Sequence, residues 1–240
     1  MSDGPRGMRA VAGLPEFDRR IANDRPAAPQ VLEAVRAAIL SAAFPPGLRL
    51  SEQEIAEAMG LSRQPVREAF IRLAGEGLLE IRPQRGTFVA RIAAQDVVDS
   101  RFVREAVEAD IVRRAAGLAD AALDARLAEL IAAQEAAFEA GTAEFMRIDE
   151  DFHLAIAEAA GKAEVWNFIQ ALKAQMDRVR HLAAADLPRA VLIAQHKEIA
   201  AALAARNAQG AELAMRMHLR QLLSDLPKIV AAYPDYFVDG

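Results

Sequence analysis

A chain of 240 residues with 53% hydrophobic and only 5% aromatic side chains is too apolar to be disordered and long enough for two cores, and its many alanines and leucines favour helices. With no cysteine it can form neither disulfides nor thiolate metal sites, and with no signal-peptide core and no apolar run near the roughly 18 residues of a membrane span it is expected in the cytoplasm, away from membranes. The net charge of −5 is uneven: residues 1–28 carry five Arg against four acidic groups and residues 29–92 eight Arg against seven Glu, so the acidity lies further on, and charge permits a nucleic-acid partner without demanding one.

Residues 1–28, rich in Gly, Pro, Arg and Asp and without periodicity, read as a mobile tail with a short helix over 16–23. Leu32, Val35, Ile39 and Leu40 predict a helix over 30–43, ended by Pro45, Pro46 and Gly47. Ser51 and Glu54 have the spacing of a capping box that opens a further helix, and Gly60 suits the left-handed residue past its end. Ser62 can cap the next helix, whose first turn tolerates Pro65. On that helix Val66, Ala69, Phe70 and Leu73 share one face, while Arg63, Gln64 and Arg67 lie on another near its start. One buried face beside guanidinium and amide groups suits a recognition helix reading base edges or phosphates; a helical hairpin with an ordinary charged face has the same pattern.

After Gly77 the period changes. Leu79 and Ile81, then Thr87, Val89 and Arg91, flank Pro83, Gln84, Arg85 and Gly86, which predicts a hairpin with a basic tip at Arg82 and Arg85. Three helices and such a hairpin make a winged helix-turn-helix, its wing suited to phosphate or minor-groove contact. The run Pro46 to Glu52, the run Ser62 to Glu68 and the wing Arg85 to Val89 together resemble a GntR-family transcriptional regulator over residues 29–92. The resemblance implies a homodimer on double-stranded DNA, its recognition helices in successive major grooves of a palindromic operator. By position it also implies DNA contacts from Arg49, Ser62, Arg63, Gln64, Arg67 and Gly86, whereas Gln53 stands where relatives often carry Arg.

Ile92 to Gln95 is a short linker, and helices are predicted near 97–117, 121–140, 143–160, 163–184, 188–206 and 208–225, with breaks at Gly117, Gly141, Gly161, Asp186 to Pro188, and Asn207. The fold class is therefore mainly α: a winged helix-turn-helix followed by an all-α bundle of about six helices over 96–228, with a C-terminal tail over 229–240. The chain has four histidines. Asp149 and His153, four apart, project from one helix face. His196 and His218 are equidistant from the turn at Asn207, so an antiparallel hairpin brings them level, about 16 Å along each helix. Three imidazoles and a carboxylate suit a divalent transition metal, zinc first, nickel or manganese next; the alternative is ordinary helix-face histidines placed level by chance. His181 does not share this level and is left as a pocket or surface residue.

This region is similar to the FCD ligand-binding domain of FadR-type GntR regulators, on Asp149, Phe152 and His153 followed by His196 and His218. The resemblance implies the metal-binding branch, with Lys162 standing where relatives carry Asn. Arg104 and Glu108 match an Arg-x-x-x-Glu segment whose Arg tends to face an effector pocket; the alternative is a solvated i,i+4 pair. Arg178 and Arg180 are further effector candidates. The expected function is a regulator whose operator affinity responds to a small organic acid. Rival readings are a metal-dependent hydrolase using the Asp and three His, and a regulator whose metal is purely structural.

Overall fold

Helices begin and end where the local chemistry requires, and a computed structural model describes them over residues 14–137, 142–183 and 188–238. Residues 1–13 of the expected tail, the last residues of the helix expected over 121–140, the break at Gly141, most of that at Asp186 to Pro188 and the last two residues of the expected C-terminal tail lie outside the described residues. The chain divides into two units, the first reaching Ile92 and the second running from Ala93 to Phe237.

In the first unit, residues 14–22 have no regular secondary structure, so the short helix over 16–23 does not form; Phe17 packs edge-on against buried Phe44 instead, ring centroids 5.1 Å apart. Helix α1 spans Ala27–Leu40, α2 Glu52–Met59 and α3 Arg63–Gly75. Ser51 caps α2 by accepting from the Glu54 amide, and Gly60 ends it in the left-handed region at φ 67°. The core is filled by Val31, Val35 and Ile39 of α1, Ile55 of α2, and Val66, Phe70 and Leu73 of α3. The wing strands β2 (Leu79–Arg82) and β3 (Gly86–Val89) pair antiparallel, Leu79 opposite Val89. A third strand, Arg49–Leu50 (β1), pairs with the other edge of β3, Arg49 opposite Phe88. Two residues are too few to show alternation, so periodicity could not reveal β1.

The second unit is helical: α4 (Ala94–Leu118), α5 (Ala121–Ala136), α6 (Thr142–Ala159), α7 (Ala163–Leu172), α8 (Ala174–Leu182), α9 (Arg189–Ala204) and α10 (Ala208–Ala232), then a 3-10 turn over Pro234–Tyr236. Helix α10 packs along α4 and α9, and α6 against α5 and α4. Asp120 and Asn207 cap α5 and α10, accepting from the amides of Leu123 and Gly210 at 2.9 Å. Lys162, at the start of α7, makes no side-chain cap.

Two helix limits differ from expectation. The single helix over 163–184 is interrupted at Lys173, whose buried ammonium reaches Asp177 at 2.6 Å and Glu150 of α6 at 2.7 Å. No Gly or Pro marks that point, where Lys173 makes one local ion pair, to Asp177, and one tertiary pair, to Glu150. Helix α10 continues past 225 through Pro227. The missing hydrogen bond costs about 3 kcal/mol, and burying Leu226 and Ile229 offsets it at about 1.5–3 kcal/mol each.

Candidate metal centre and nucleic-acid interface

Asp149 and His153 on α6, His196 on α9 and His218 on α10 converge in the core of the second unit, with one ligand atom from each inside a 4.8 Å span. The Asn207 turn brings His196 and His218 level: their Nε2 atoms are 3.3 Å apart, and that of His153 is 3.2 Å from that of His218. Asp149 Oδ1 lies 3.6 Å from His196 Nε2.

The outer ring nitrogens decide the protonation state. His153 Nδ1 lies 2.6 Å from Glu108 Oε2, His196 Nδ1 2.8 Å from Gln134 Oε1, and His218 Nδ1 3.0 Å from Gln195 Oε1. The Gln134 and Gln195 oxygens are acceptors, so the Nδ1 atoms of His196 and His218 carry the proton and those two rings turn a bare Nε2 lone pair inward, where the Nε2 of His153 meets them. The facing lone pairs of His196 and His218 cannot hydrogen-bond one another. Burial pushes His196 down to about 3 and His218 well below the ordinary histidine range, so neither supplies a proton to relieve the clash. Burial alone would raise Asp149, but the Arg180 guanidinium, Nη1 to Oδ2 at 2.8 Å, outweighs it and holds the carboxyl well below the usual range. Asp149 Oδ1 is buried with no hydrogen-bond partner. A buried set of three imidazoles and a carboxylate, each imidazole oriented by an outer acceptor, fits a divalent cation of the zinc, nickel or manganese kind.

Arg104 and Glu108 are not a solvated pair: their side chains are 4% and 3% exposed. Glu108 receives Arg104 Nε on one oxygen and faces His153 on the other, and burial notwithstanding, these two neighbours lower its pKa to about 2. Arg104 Nη2 is buried with no partner. Arg104, Arg180 and His218 line a cavity of about 50 Å³, which shares Arg180, Leu222 and Asp225 with a second cavity of about 350 Å³. Arg178 is not among the residues lining either; it is buried, with Nη1 3.1 Å from Gln175 Oε1. Half-buried His181 lines neither as well. Sequence reasoning missed Gln134 and Gln195 and gave Glu108 only to Arg104. Their signal is tertiary, since a helical glutamine reads as surface until the facing helix is placed.

In the first unit Arg63, Gln64 and Arg67 are exposed on α3, away from buried Val66, Ala69, Phe70 and Leu73. Arg63 Nη2 donates to Glu52 at 3.0 Å, and Gln64 to Glu68 at 2.9 Å, both pairs exposed and exchangeable. Ser62 occupies the N-cap position without a side-chain capping bond. At the wing, Arg85 is exposed, and Arg82 lies 4.7 Å over the Phe88 ring while bonding Glu80. Gly86 has φ +113°, and a Cβ there would meet Arg49 Nε at 2.9 Å, so the glycine lets the Arg49 side chain cross the strand.

Residues 27–89 match the gntR family of bacterial regulatory proteins, and residues 99–221 match the FCD domain. The HTH-type transcriptional repressor RspR of Escherichia coli K12 is 35% identical over 89% of this chain and 94% of its own length. An HTH-type transcriptional regulator from an unstable DNA locus of Streptomyces ambofaciens is 37% identical over 85% of this chain and 86% of its own. Among solved structures, a GntR transcriptional regulator from Rhodococcus sp. RHA1 aligns with TM-score 0.68 at 27% identity, covering 86% of this chain and 98% of that one. E. coli McbR/YncC shares the fold with TM-score 0.73 at 24% identity, covering 85% and 98%. With a winged helix-turn-helix in front and an FCD domain behind, this chain belongs to the gntR family of bacterial regulatory proteins.

Proposed function

We propose that the protein is a dimeric, sequence-specific DNA-binding regulator of the FadR type, whose operator affinity changes when a small carboxylate binds beside a divalent metal, zinc first, in the second unit. The observation that carries this reading is the pairing of two unmet needs, joined by a cavity that both Arg104 and His218 line. Asp149 Oδ1, beside the inward Nε2 atoms of three histidines, has no donor, and Arg104 Nη2, on the adjoining cavity, has no acceptor. Asp149, His153, His196 and His218 would hold the metal, which when bound supplies a Lewis-acid centre for an anionic ligand. Arg104 and Arg180 would grip the carboxylate, since a guanidinium fork matches two carboxylate oxygens. Arg178, held against Gln175 away from both cavities, is dropped from this set.

At the DNA, Arg63, Gln64 and Arg67 would read base edges from the major groove, and Ser62, Arg49, Arg85 and Gly86 would fix the register through phosphate or minor-groove contact. Relatives described as HTH-type regulators support this output rather than turnover of a substrate. Ligand and DNA are then linked reciprocally, typically by about 1–3 kcal/mol. Two measurements test the proposal together. Metal content by mass spectrometry should be one ion per chain in the wild type and near zero in His196→Ala. Affinity for a DNA fragment selected from a random pool should respond to a panel of carboxylates only in the metal-loaded wild type. Equal metal in both proteins, or DNA affinity indifferent to every carboxylate, would sink it.

A further inference from the structure

The chain passes between the two units twice. It leaves the first unit after Ile92, and it returns at the far end, where Phe237 closes the second unit and Val238 belongs to the first. Within the first unit the two crossing points are joined, because the Val238 amide donates to the Ile92 carbonyl at 3.0 Å. Ile92 is fully buried and stands just past Ala90, whose amide donates to the Leu78 carbonyl beyond the Leu79–Val89 pair of the wing. A displacement of Ile92 therefore acts on β3, the central strand that holds both β1 and β2 and begins at Gly86.

Neither crossing has slack. On the way out, Ala93 alone separates Ile92 from α4, and its carbonyl already accepts from the Val97 amide. On the way back, the amides of Tyr233, Tyr236 and Phe237 donate to the carbonyls of Ile229, Tyr233 and Pro234, and Pro234 has a fixed φ. No glycine occurs between Gly210 and Gly240, so the end of α10 continues to Val238 through hydrogen-bonded turns. The helices that make these crossings also carry parts of the candidate site: α4 bears Glu108, which faces His153, and α10 bears His218, and the two helices pack on each other. Resting on the metal-sensor reading above, we infer that the Val238–Ile92 bond is a latch through which α10 acts on the wing. With the histidine cluster occupied, α10 keeps Val238 on Ile92 and the base of β3 is fixed. With the cluster empty the latch opens, and the first unit is tethered through Ala93 alone.

Val238→Pro tests this, since proline lacks the amide donor, and Phe237, at φ −104° and ψ 155°, already has the extended backbone that a following proline requires. Val238→Ala keeps the amide. Both variants are made as full-length protein, with zinc content and Trp166 emission checking that the second unit is intact. Trypsin attack after exposed Arg91 reads the latch, because the bond it cuts leads into Ile92, and the fragments ending at Arg91 and starting at Ile92 are followed by mass spectrometry. In the zinc-loaded proteins cleavage there should be roughly fivefold faster in Val238→Pro than in the wild type, the scale of one backbone hydrogen bond, and unchanged in Val238→Ala. Affinity for the selected DNA fragment should differ between zinc-loaded and chelated protein by roughly five- to 150-fold in the wild type and in Val238→Ala, and the difference should collapse in Val238→Pro. Equal cleavage in all three proteins, or a zinc response that survives Val238→Pro, overturns the latch and leaves the sensor reading standing. Wild-type DNA affinity indifferent to zinc also overturns it, and the carboxylate panel then decides the sensor reading by itself. Failure of the wild type to bind zinc removes both.

Discussion

Replacing Arg180 by methionine removes the principal counter-charge of a fully buried carboxylate. Asp149 has 0% side-chain exposure, its Oδ2 accepts from Arg180 at 2.8 Å, and its Oδ1 has no hydrogen-bond partner. Breaking a buried ion pair from one side costs about 3–5 kcal/mol. An independent ceiling comes from protonation: neutralising an ordinary Asp at pH 7 costs about 4 kcal/mol, so the stranded group takes up a proton before the penalty grows beyond that. The sign follows. In the variant the folded-state pKa rises above the unfolded value, so the penalty is small near pH 4 and grows as pH increases toward the raised pKa. In the wild type the pKa is depressed, and its stabilisation is present above the unfolded pKa. The gap between the two proteins in a metal-free buffer is therefore about 3–4 kcal/mol at pH 7 and about 1.5 kcal/mol at pH 5. Saturating zinc supplies a second counter-ion, so the gap should shrink by half or more. Urea unfolding followed by Trp166 emission measures this, because the single tryptophan is buried in the second unit and stacks on His153 with centroids 5.8 Å apart. A gap below about 1 kcal/mol with chelator at pH 7 would refute the electrostatic account, and an equal gap with chelator and with zinc would refute the metal.

Two substitutions in the first unit should act on DNA alone. Arg63→Ala removes a guanidinium from α3 and should weaken specific binding by about 1–3 kcal/mol with little loss on unrelated DNA, since base contacts discriminate and phosphate contacts do not; equal loss on both, by gel shift, would assign Arg63 to the backbone. Gly86→Ala places a Cβ 2.9 Å from Arg49 Nε at a φ of +113°, a strain of about 1–3 kcal/mol that displaces Arg49 or opens the wing tip. Operator affinity should fall by roughly tenfold or more for that strain, while metal content and the Trp166 unfolding curve stay as in the wild type. A shift of that curve would show that the damage is not confined to the wing.

What could be read in the sequence was whatever local geometry transmits without loss. The rise of a helix is fixed, so two histidines equally far from Asn207 meet at one level once α9 and α10 fold back, and the Asn207 cap with its close-packed Gly210 holds the turn. The same rigidity gave the exposed face of α3, because Val66, Ala69, Phe70 and Leu73 leave only one way to turn it. Rotation of one helix about its own axis against another is not local, and there the reading stopped. Arg178 and Arg180 are about 200° apart around α8, so both cannot face one cavity, and nothing in the neighbouring residues says which does. Burial of Asp149 on α6 chooses Arg180.

The outer shell of the cluster follows the same logic. Gln134 reaches His196 from α5, and Glu108 reaches His153 from α4, across sequence separations that no spacing rule covers. With Gln195 beside His218, they fix the outer edge of each ring, and that turns the three Nε2 atoms toward one point. Residue types alone therefore name a set that could hold a metal, and the outer partners show which ring atoms a cation would meet. The lone Nη2 of Arg104 extends the argument outward. Its partner Glu108 is shared with His153, so the guanidinium that faces the cavity and the imidazole that faces the histidine cluster are oriented by one carboxylate. A ligand seated on Arg104 would thereby act on α6 as well as α4, which is the physical connection the proposed sensing requires.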